Sequence, residues 1–479
     1  MPVRGRRFLN VPADVRQGLL RLQHVLEIPQ GFPDDVIDQA CALEATPPSF
    51  PAHLDLTEIE FITIDPEGSR DLDQAMHITR SGDGYVVRYA IADVGAWVVP
   101  GSPIDVEARM RGQTMYAPHA TVPLHPPQLS EGAASLLDDG RPRPAMVWTH
   151  ELDAAGVVTS TTLQRAMVVS RARLAYGQAQ AGLADGTGVE TVALLAEVGP
   201  LRERVEIARG GISLNLPDQE IVAEGHRWVP VFRKLLPIED WNAQISLMTG
   251  MAAAELMVAG RVGVLRTLPP AEDFAVARLR HAARTLGVEW PPRDSYPDFV
   301  RSLDPTDPKE LAVLEKCTML FRGAGYVAFD GELPTSNLVH SALAARYSHA
   351  TAPLRRLVDR FVLETCHSLV TGTPLPDWVA GSLEGLPQVM ATSGRKAKAY
   401  ERGAIALAEA LVLEHRVGEI FDAVLIDIHP KTGIGTFQIA DPAIEATLRA
   451  KPGEVGEHLR VRLDRVDIVK GEITFSQPN

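Results

Sequence analysis

Cysteine is scarce in this sequence, with only three among 479 residues. Cys41, Cys317 and Cys366 stand far apart, and no CxxC pair is present. An odd number of widely spaced cysteines argues against a disulfide-rich secreted scaffold and against a cysteine zinc site. We therefore expect reduced thiols and a cytoplasmic location.

Long apolar runs are also missing. The first residues are basic, but no apolar stretch follows them, which argues against a secretory signal. The most apolar window, residues 245–265, is interrupted by Glu255 and Arg261. It is therefore more typical of a buried helix than of a membrane span, and we expect no membrane association.

An excess of positive charge is the third absence. The chain has 47 Lys and Arg against 61 Asp and Glu, a formal net charge of −14. Such a balance argues against general electrostatic attraction to nucleic acid. It still allows a locally basic channel, and carboxylates gathered around a metal ion add to the negative count. Composition alone therefore slightly disfavours RNA as a partner, so the motifs have to decide.

Hydrophobic patterns divide the chain into three parts. Residues 1–48 hold two short amphipathic helical patterns and end at a proline-rich connection. Residues 49–413 begin with alternating strand patterns, including a hairpin signalled by SGDG at 81–84, and become mostly helical after Leu163. Residues 414–479 return to about five short strands, as in a small OB-type barrel. The sequence predicts an α+β protein with a large mixed domain between these two smaller parts.

Three carboxylates in the segment FITIDPEGSRDLDQ are spaced so that they can converge. Asp65 ends a strand-like run, and Asp71 and Asp73 face the same way if the returning segment is extended. The intervening residues can turn at Gly68. Crowded carboxylates repel one another, and a hard cation such as Mg²⁺ or Mn²⁺ removes that cost. On spacing alone, a solvated acidic turn or a structural Ca²⁺ loop is the more frequent explanation.

A second segment, RYSHATAPLRRLVDR at 346–360, has four arginines and one acid. Pro353 suits the first turn of a helix, which would place Arg355 near a helix N-terminus. A guanidinium binds phosphate bidentately and can neutralise charge that develops on phosphorus. A surface helix whose arginines pair with acids elsewhere explains the same residues equally well.

Taken together, the two segments resemble the RNB catalytic domain of the RNase II and RNase R family. The resemblance extends through YAIADVGAWVVPGSPIDVEARMRGQTMYAP and VPLHPPQLSEGAASL. Several such segments in the same order are more specific than any one of them. The resemblance implies a large RNB-type catalytic domain and a C-terminal OB-like RNA-binding barrel. The short helical N-terminal region stands where RNase II and RNase R have cold-shock domains. Either a helix-turn-helix-like RNA-binding unit or a simple packing hairpin fits it.

The activity implied by the resemblance is processive hydrolysis of single-stranded RNA from the 3′ end to nucleoside 5′-monophosphates. It implies Mg²⁺, with Mn²⁺ as a substitute, and no other cofactor. We also expect a monomer. Position by position, it implies metal binding by Asp65, Asp71 and Asp73, and catalysis by Asp73, Asp71 and Arg355. The RNA-binding residues that it implies are Tyr116, which would stack on the 3′-terminal base, Tyr176, Arg356 and Glu401.

The fourth acidic position of the family is occupied here by Gln74. Glutamine can ligate a metal through its carbonyl oxygen but brings no charge. Two interpretations follow: an active enzyme with three carboxylates and Gln74, or an RNA-binding relative with weakened or lost nuclease activity. A phosphodiesterase acting on DNA or small nucleotides is a third. The joint presence of Asp73 and Arg355 favours the active exoribonuclease.

Overall fold

The protein is described by a computed structural model, in which the following residues can be described: 12–116, 121–214, 216–224, 227–335, 338–428, 432–439, 444–449 and 457–478. Over these residues the α-helices α1–α13 are, in chain order, Ala13–Val25, Asp34–Ala45, Val94–Trp97, Pro103–Arg111, Tyr176–Asp185, Glu190–Arg209, Pro237–Gly260, Asp273–Thr285, Tyr296–Ser302, Pro308–Cys317, Leu357–Thr371, Asp377–Ala380 and Leu386–Leu413.

The strands β1–β18 over the same parts of the chain are Leu54–Asp55, Phe61–Asp65, Gln74–Ser81, Gly84–Ala92, Met115–Tyr116, Thr121–Val122, Arg143–Leu152, Val158–Val168, Ser170–Ala175, Asp218–Glu224, Arg227–Arg233, Val262–Thr267, Gly325–Asp330, Ile420–Ile428, Ile434–Ile439, Ile444–Arg449, His458–Asp467 and Glu472–Ser476.

A seven-stranded sheet with the order β1-β8-β7-β4-β3-β2-β9 forms the centre of the large domain. The hairpin predicted from SGDG joins β3 to β4, with Ser81 opposite Gly84 and Gly82 at a φ of 57°. β4 is buried on both faces, so its sequence is nearly continuously apolar. One face packs on α6 and α7, and the other packs on α2 and the loops that follow β4. β2 and β9 pair in parallel at one edge, which is where the acidic segment leaves the sheet.

The first two helices pack onto the body of the protein. A Cβ atom on Gly18 would lie 2.6 Å from Leu407 Cδ2, so α1 approaches α13 closely through its glycine. The Gln23 side-chain amide donates to the Tyr400 hydroxyl at 2.9 Å across the same contact. α2 contacts α4. The helix-turn-helix-like unit and the packing hairpin both stay predictions for the N-terminal region.

The prediction of a mostly helical chain after Leu163 was wrong in part. The strands β9 to β13 lie in this stretch together with the long helices α6 and α7. β12 pairs with β13, although about 60 residues separate them. Short strands with distant partners leave little local periodicity, so the sequence pattern of the helices dominated the prediction.

The predicted buried helix is α7, which ends before β12. Within the described residues it is the one helix long and apolar enough to cross a membrane, with half of its apolar window buried inside the protein. The core helix of a soluble protein passes the same test. Ile245, Met248 and Ala253 of α7 are fully buried against the sheet and α11, as a core helix requires.

The C-terminal residues form an antiparallel sheet with the order β16-β15-β14-β17-β18. β16 also contacts β18, so the sheet is nearly closed. Phe421, Phe437, Val461 and Phe475 fill its interior. The α+β fold class with an OB-like C-terminal barrel is therefore confirmed. The proposed boundaries after residues 48 and 413 stay predictions.

Candidate active site

The acidic segment turns where its sequence predicts. β2 ends at Asp65, and Gly68 follows with a φ of 80°, a conformation that glycine adopts easily. The Ser69 N–H donates to the Pro66 carbonyl at 3.1 Å and closes the turn. Leu72 is then fully buried, and its N–H donates to Ser135 Oγ at 2.9 Å. The buried Leu72 therefore anchors the returning segment and fixes its position relative to the sheet.

Asp73 joins this segment to the arginine-rich segment. Only 4% of Asp73 is exposed. Its Oδ1 accepts the Leu354 N–H at 2.8 Å, and its Oδ2 lies 3.5 Å from Arg355 Nε. The Arg355 side chain remains 39% exposed, so part of the guanidinium faces solvent. The structure thus brings together the carboxylate and the guanidinium that the sequence singled out.

The three carboxylates have too few positive partners for their burial. The pKa of Asp65 is raised to about 7, mainly by burial, which the charge of Arg355 opposes and that of Asp71 reinforces. Burial also raises the pKa of Asp71 and that of Asp73. The Oδ2 atom of Asp65 is enclosed and accepts no hydrogen bond within the described structure. The site therefore carries negative charge that the described residues do not neutralise.

Such an excess of negative charge fits a divalent cation that prefers oxygen ligands, such as Mg²⁺ or Mn²⁺. The unpartnered Asp65 oxygen is the observation that supports this fit most directly. Within the described parts of the chain, however, no group of three or more His, Cys, Asp or Glu is placed so that it could by itself hold a metal ion. Mg²⁺ keeps several waters and takes substrate phosphate as a ligand, so an incomplete protein shell is compatible with it.

Gln74 is close to the carboxylates, but its carbonyl oxygen is already engaged. Gln74 Oε1 accepts a hydrogen bond from the Tyr89 hydroxyl. Tyr89 is fully buried, and its pKa is raised by burial and by the charges of Asp65 and Asp73. A metal ion would have to use the second lone pair of the amide oxygen or displace Tyr89. The predicted role of Gln74 as a ligand therefore competes with this hydrogen bond.

Sequence reasoning missed Tyr89, although the hairpin contains the signal for it. The two-residue turn fixes the register of β3 and β4, in which Gln74 opposes Ile91 and Met76 opposes Tyr89. Residues two apart on a strand share a face, so Gln74 and Tyr89 are diagonal neighbours on one face. The register alone would have brought the two residues together.

Tyr116 is a close neighbour of Arg355. The Thr114 N–H donates to the Arg355 carbonyl at 2.9 Å, which fixes the start of β5 to the arginine-rich segment. The Tyr116 hydroxyl contacts the Arg355 guanidinium. Burial raises the pKa of Tyr116 to about 12, so its hydroxyl stays neutral. The Tyr116 side chain is partly exposed.

Tyr176 is the first residue of α5 and lies near Asp65. Burial raises the pKa of the Tyr176 hydroxyl, and the charge of Asp65 adds to that rise. Its hydroxyl accepts a hydrogen bond from Asn242 Nδ2 at 3.3 Å. The same nitrogen donates to the Ile64 carbonyl at 3.2 Å, next to Asp65. Asn242 therefore ties the tyrosine to the acidic strand. No sequence pattern indicated Asn242, because α7 reaches β2 only through tertiary packing.

Arg356 and Glu401 fit the site less directly. Arg356 Nε and Nη2 both bind the Asp359 carboxylate at 2.9 Å, so the pair orders the segment before α11. The prediction that Pro353 opens a helix was wrong, since α11 begins at Leu357. Asp359 also accepts the Ala352 N–H at 2.7 Å and holds residues 352–356 in a non-helical turn. Glu401 lies half-buried on α13, a helix that contacts β5. RNA contacts of Arg356 and Glu401 stay predictions.

Comparison with known proteins identifies two families. The RNB domain matches residues 53–372, and the RNase II-type exonuclease C-terminal S1 domain matches residues 419–477. Ribonuclease R of Escherichia coli is 28% identical over 354 residues, which cover 70% of this chain and 42% of that protein. The chain thus matches less than half the length of this curated relative.

Solved structures share the fold. RNase R of Mycoplasma genitalium in complex with ribose-methylated single-stranded RNA superposes with a TM-score of 0.82 at 20% identity, covering 97% of this chain and 78% of that one. Yeast Ssd1, a pseudonuclease, has a TM-score of 0.66 at 16% identity, covering 87% and 54%. The RNB match extends over more than half of the chain, so this protein belongs to the RNB-domain family.

Proposed function

We propose that the protein is a Mg²⁺-assisted exoribonuclease that hydrolyses single-stranded RNA processively from its 3′ end and releases nucleoside 5′-monophosphates. The observation that carries the proposal is the contact of Arg355 with the buried Asp73, beside the partly buried Asp65 and Asp71. The complex of Mycoplasma RNase R with single-stranded RNA supports the choice of substrate.

The carboxylates and Arg355 have distinct roles in this reaction. Asp65, Asp71 and Asp73 would hold the cation, with Gln74 beside them. The chemistry supplied by such an ion is polarisation of the scissile phosphate and activation of a water. Arg355 binds a phosphate oxygen and neutralises charge that develops on it, since its guanidinium is partly exposed.

The tyrosines hold the end of the strand. Tyr116 would stack on the terminal base, and such stacking tolerates any base because every base has a π face. Tyr176, fixed by Asn242, offers its ring and hydroxyl near the ribose. A 2′-hydroxyl contact there would allow the protein to distinguish RNA from DNA. Cleavage of matched RNA and DNA oligomers tests this choice, and equal rates would indicate a general phosphodiesterase instead.

Replacement of Asp73 by Asn tests the activity. A 5′-labelled single-stranded RNA is incubated with Mg²⁺ and the products are separated. We expect hydrolysis to fall by about 10²- to 10³-fold, as when one preorganised electrostatic group is removed from an active site. Binding of the same RNA should persist. Asp464→Asn, in an exposed pair of the C-terminal barrel, is the matched control. Unchanged turnover in Asp73→Asn would refute the proposal.

One observation favours a second candidate, an RNA-binding protein with weakened or lost nuclease activity. Gln74 brings no charge, and its carbonyl oxygen already accepts the Tyr89 hydroxyl. Gln74→Asp restores a fourth carboxylate, so it separates the candidates. If wild type binds RNA without releasing mononucleotides at any Mg²⁺ or Mn²⁺ concentration, and Gln74→Asp cleaves it, the second candidate holds. Release of mononucleotides by the wild type at a rate that Gln74→Asp does not increase excludes it.

A cytoplasmic location and a monomeric state complete the proposal. The three cysteines are free thiols, as a reducing compartment would keep them. Fractionation of the cells that make the protein, together with light scattering of the pure chain, tests both statements.

A further inference from the structure

Arg173 lies beside the carboxylates without a role in the reaction proposed above. It belongs to β9, an edge strand of the central sheet. Its side chain is exposed. Among the residues that the structure describes, no hydrogen bond or ion pair engages its guanidinium. An uncommitted arginine is notable in a chain with 61 acidic and 47 basic residues.

The register of the sheet places Arg173 next to Asp65. β2 and β9 are parallel, with Thr63 opposite Arg173 and Asp65 opposite Ala175. Paired residues share a face and side chains alternate, so Arg173 and Asp65 are diagonal neighbours on one face. Their Cα atoms are roughly 8 Å apart by strand geometry. Burial raises the pKa of Asp65, and the charges of Arg355 and Arg173 both oppose that rise.

Arg355 and Arg173 approach Asp65 from different parts of the chain, and they differ in how many partners their guanidinium groups have. Arg355 contacts Asp73 and Tyr116. Arg173 keeps its donors free, and a guanidinium with free donors is suited to bidentate binding of phosphate. Arg171 on the same strand is also exposed, but its Nη2 donates to the Thr57 carbonyl at 2.6 Å. The free donors therefore distinguish Arg173 within β9.

The position of Arg173 along the chain indicates which part of a bound RNA it would contact. Tyr176 follows three residues later at the start of α5, with its hydroxyl near Asp65. A nucleotide that contacts Tyr176 would bring its backbone phosphate toward the end of β9. We propose that Arg173 binds an internucleotide phosphate of single-stranded RNA, as a second phosphate site beside that of Arg355. The inference rests on the proposed function, because it takes RNA as the ligand.

The salt dependence of RNA binding tests the proposal. A 5′-fluorescein-labelled single-stranded RNA is titrated with the full chain in EDTA, which suppresses hydrolysis, at several KCl concentrations. Each phosphate contact in a single strand contributes about 0.7 to the slope of log K against log salt. We expect Arg173→Ala to reduce the slope by about 0.7 and to weaken binding at low salt by about tenfold. Arg173→Lys should keep the slope, since lysine retains the charge.

Arg171→Ala is the matched control, because it removes one positive charge from the same strand. Its slope should equal that of the wild type. Equal slopes for Arg173→Ala and Arg171→Ala would overturn the proposal, because loss of net charge would then explain the effect. An RNA that does not bind wild type at low salt would overturn it as well. A thermal unfolding midpoint of Arg173→Ala equal to that of the wild type would show that the variant is folded, so a changed slope would report a change in binding.

A parallel assay of nucleotide release with Mg²⁺ separates this proposal from the proposed function. Release by the wild type together with an unchanged slope in Arg173→Ala refutes the phosphate site alone. A reduced slope in Arg173→Ala together with no release by the wild type refutes the nuclease and leaves the phosphate site in place.

Discussion

Two regions of the large domain contain buried carboxylates, and they differ in how far neighbouring donors compensate the negative charge. In the first, around Asp93 and Asp105, each carboxylate has several donors. Asp105 binds Arg360 at 2.6 Å, Arg109 at 2.9 Å and the Gly101 N–H at 2.9 Å. Burial alone would raise its pKa, but these donors outweigh burial and lower it.

Asp93 follows the same pattern. It accepts Arg165 Nε at 2.8 Å, His53 Nε2 at 3.2 Å and the Ala96 N–H at 3.1 Å. Burial opposes ionisation, yet these donors lower the pKa. Arg165 also binds Glu364, so this arginine serves two acids. The network joins β8, α3 and α11 and gives both acids an arginine partner.

In the second region, around Asp65, Asp71 and Asp73, the pKa values are raised instead. Asp73 has one backbone donor and one arginine at 3.5 Å, and Asp65 has an oxygen with no donor. Unequal compensation of buried or partly buried carboxylates distinguishes a structural ion network from a site that holds a charge for another molecule.

The largest expected effect is the loss of a paired acid from the first region. Asp105→Ala leaves Arg360, which is 1% exposed, without its carboxylate. We expect the free energy of unfolding to fall by about 3–5 kcal/mol, measured by urea denaturation. Asp464→Ala in the exposed pair with Arg462 should cost about 0–1 kcal/mol. Similar losses in the two variants would contradict the contrast between buried and exposed pairs.

A divalent cation should stabilise the protein by binding to the carboxylates of the second region. At about 100 times its dissociation constant, Mg²⁺ or Mn²⁺ should raise the free energy of unfolding by about 2.7 kcal/mol. Asp65→Asn should lose most of this increase, because it removes a charged ligand. Thermal unfolding with the cation and with EDTA measures the difference. Equal stabilisation of both proteins would place the cation elsewhere.

In the metal-free protein, neutralising an acid should have opposite effects in the two regions. The native pKa of Asp65 is raised to about 7, so the native state binds the proton more tightly than the unfolded state. Stability therefore falls as pH rises toward 7, and Asp65→Asn should stabilise the protein at pH 8 by about 2 kcal/mol.

The pKa of Asp93 is lowered, so its stabilisation is present above the usual aspartate range and is lost on acidification. Asp93→Asn should therefore destabilise the protein at pH 8. Urea denaturation in EDTA measures both variants. A loss of stability in Asp65→Asn would contradict the comparison of the two regions.

The smallest effect concerns a neutral group in the second region. Tyr116→Phe removes the hydroxyl that contacts Arg355 but keeps the ring. We expect RNA affinity to fall by about 1 kcal/mol, the usual value of one hydrogen bond. Tyr116→Ala removes the ring as well and should cost about 1–3 kcal/mol if it stacks on a base. Equal losses would mean that the ring does not stack.

Much of the candidate site was predictable because its signals are local. The spacing of Asp65, Gly68 and Asp73 already predicted a strand, a turn and a return. The SGDG turn fixes a register from which the Tyr89 contact with Gln74 follows. The closed C-terminal sheet was predictable from short alternating strands, although β16 was not identified by its own pattern.

The tertiary structure alone decided which charges meet and which are compensated. The contact of Asp73 with Arg355 joins positions 282 apart in the sequence, and Asn242 reaches β2 only because α7 packs there. The start of α11 depended on Asp359 bonding back to Ala352, which no propensity predicts. Residue identity and local spacing determine the type and order of groups along a chain. Desolvation and pairing depend on the side chains that packing brings together, so whether a carboxylate is structural or available to a ligand is decided in three dimensions.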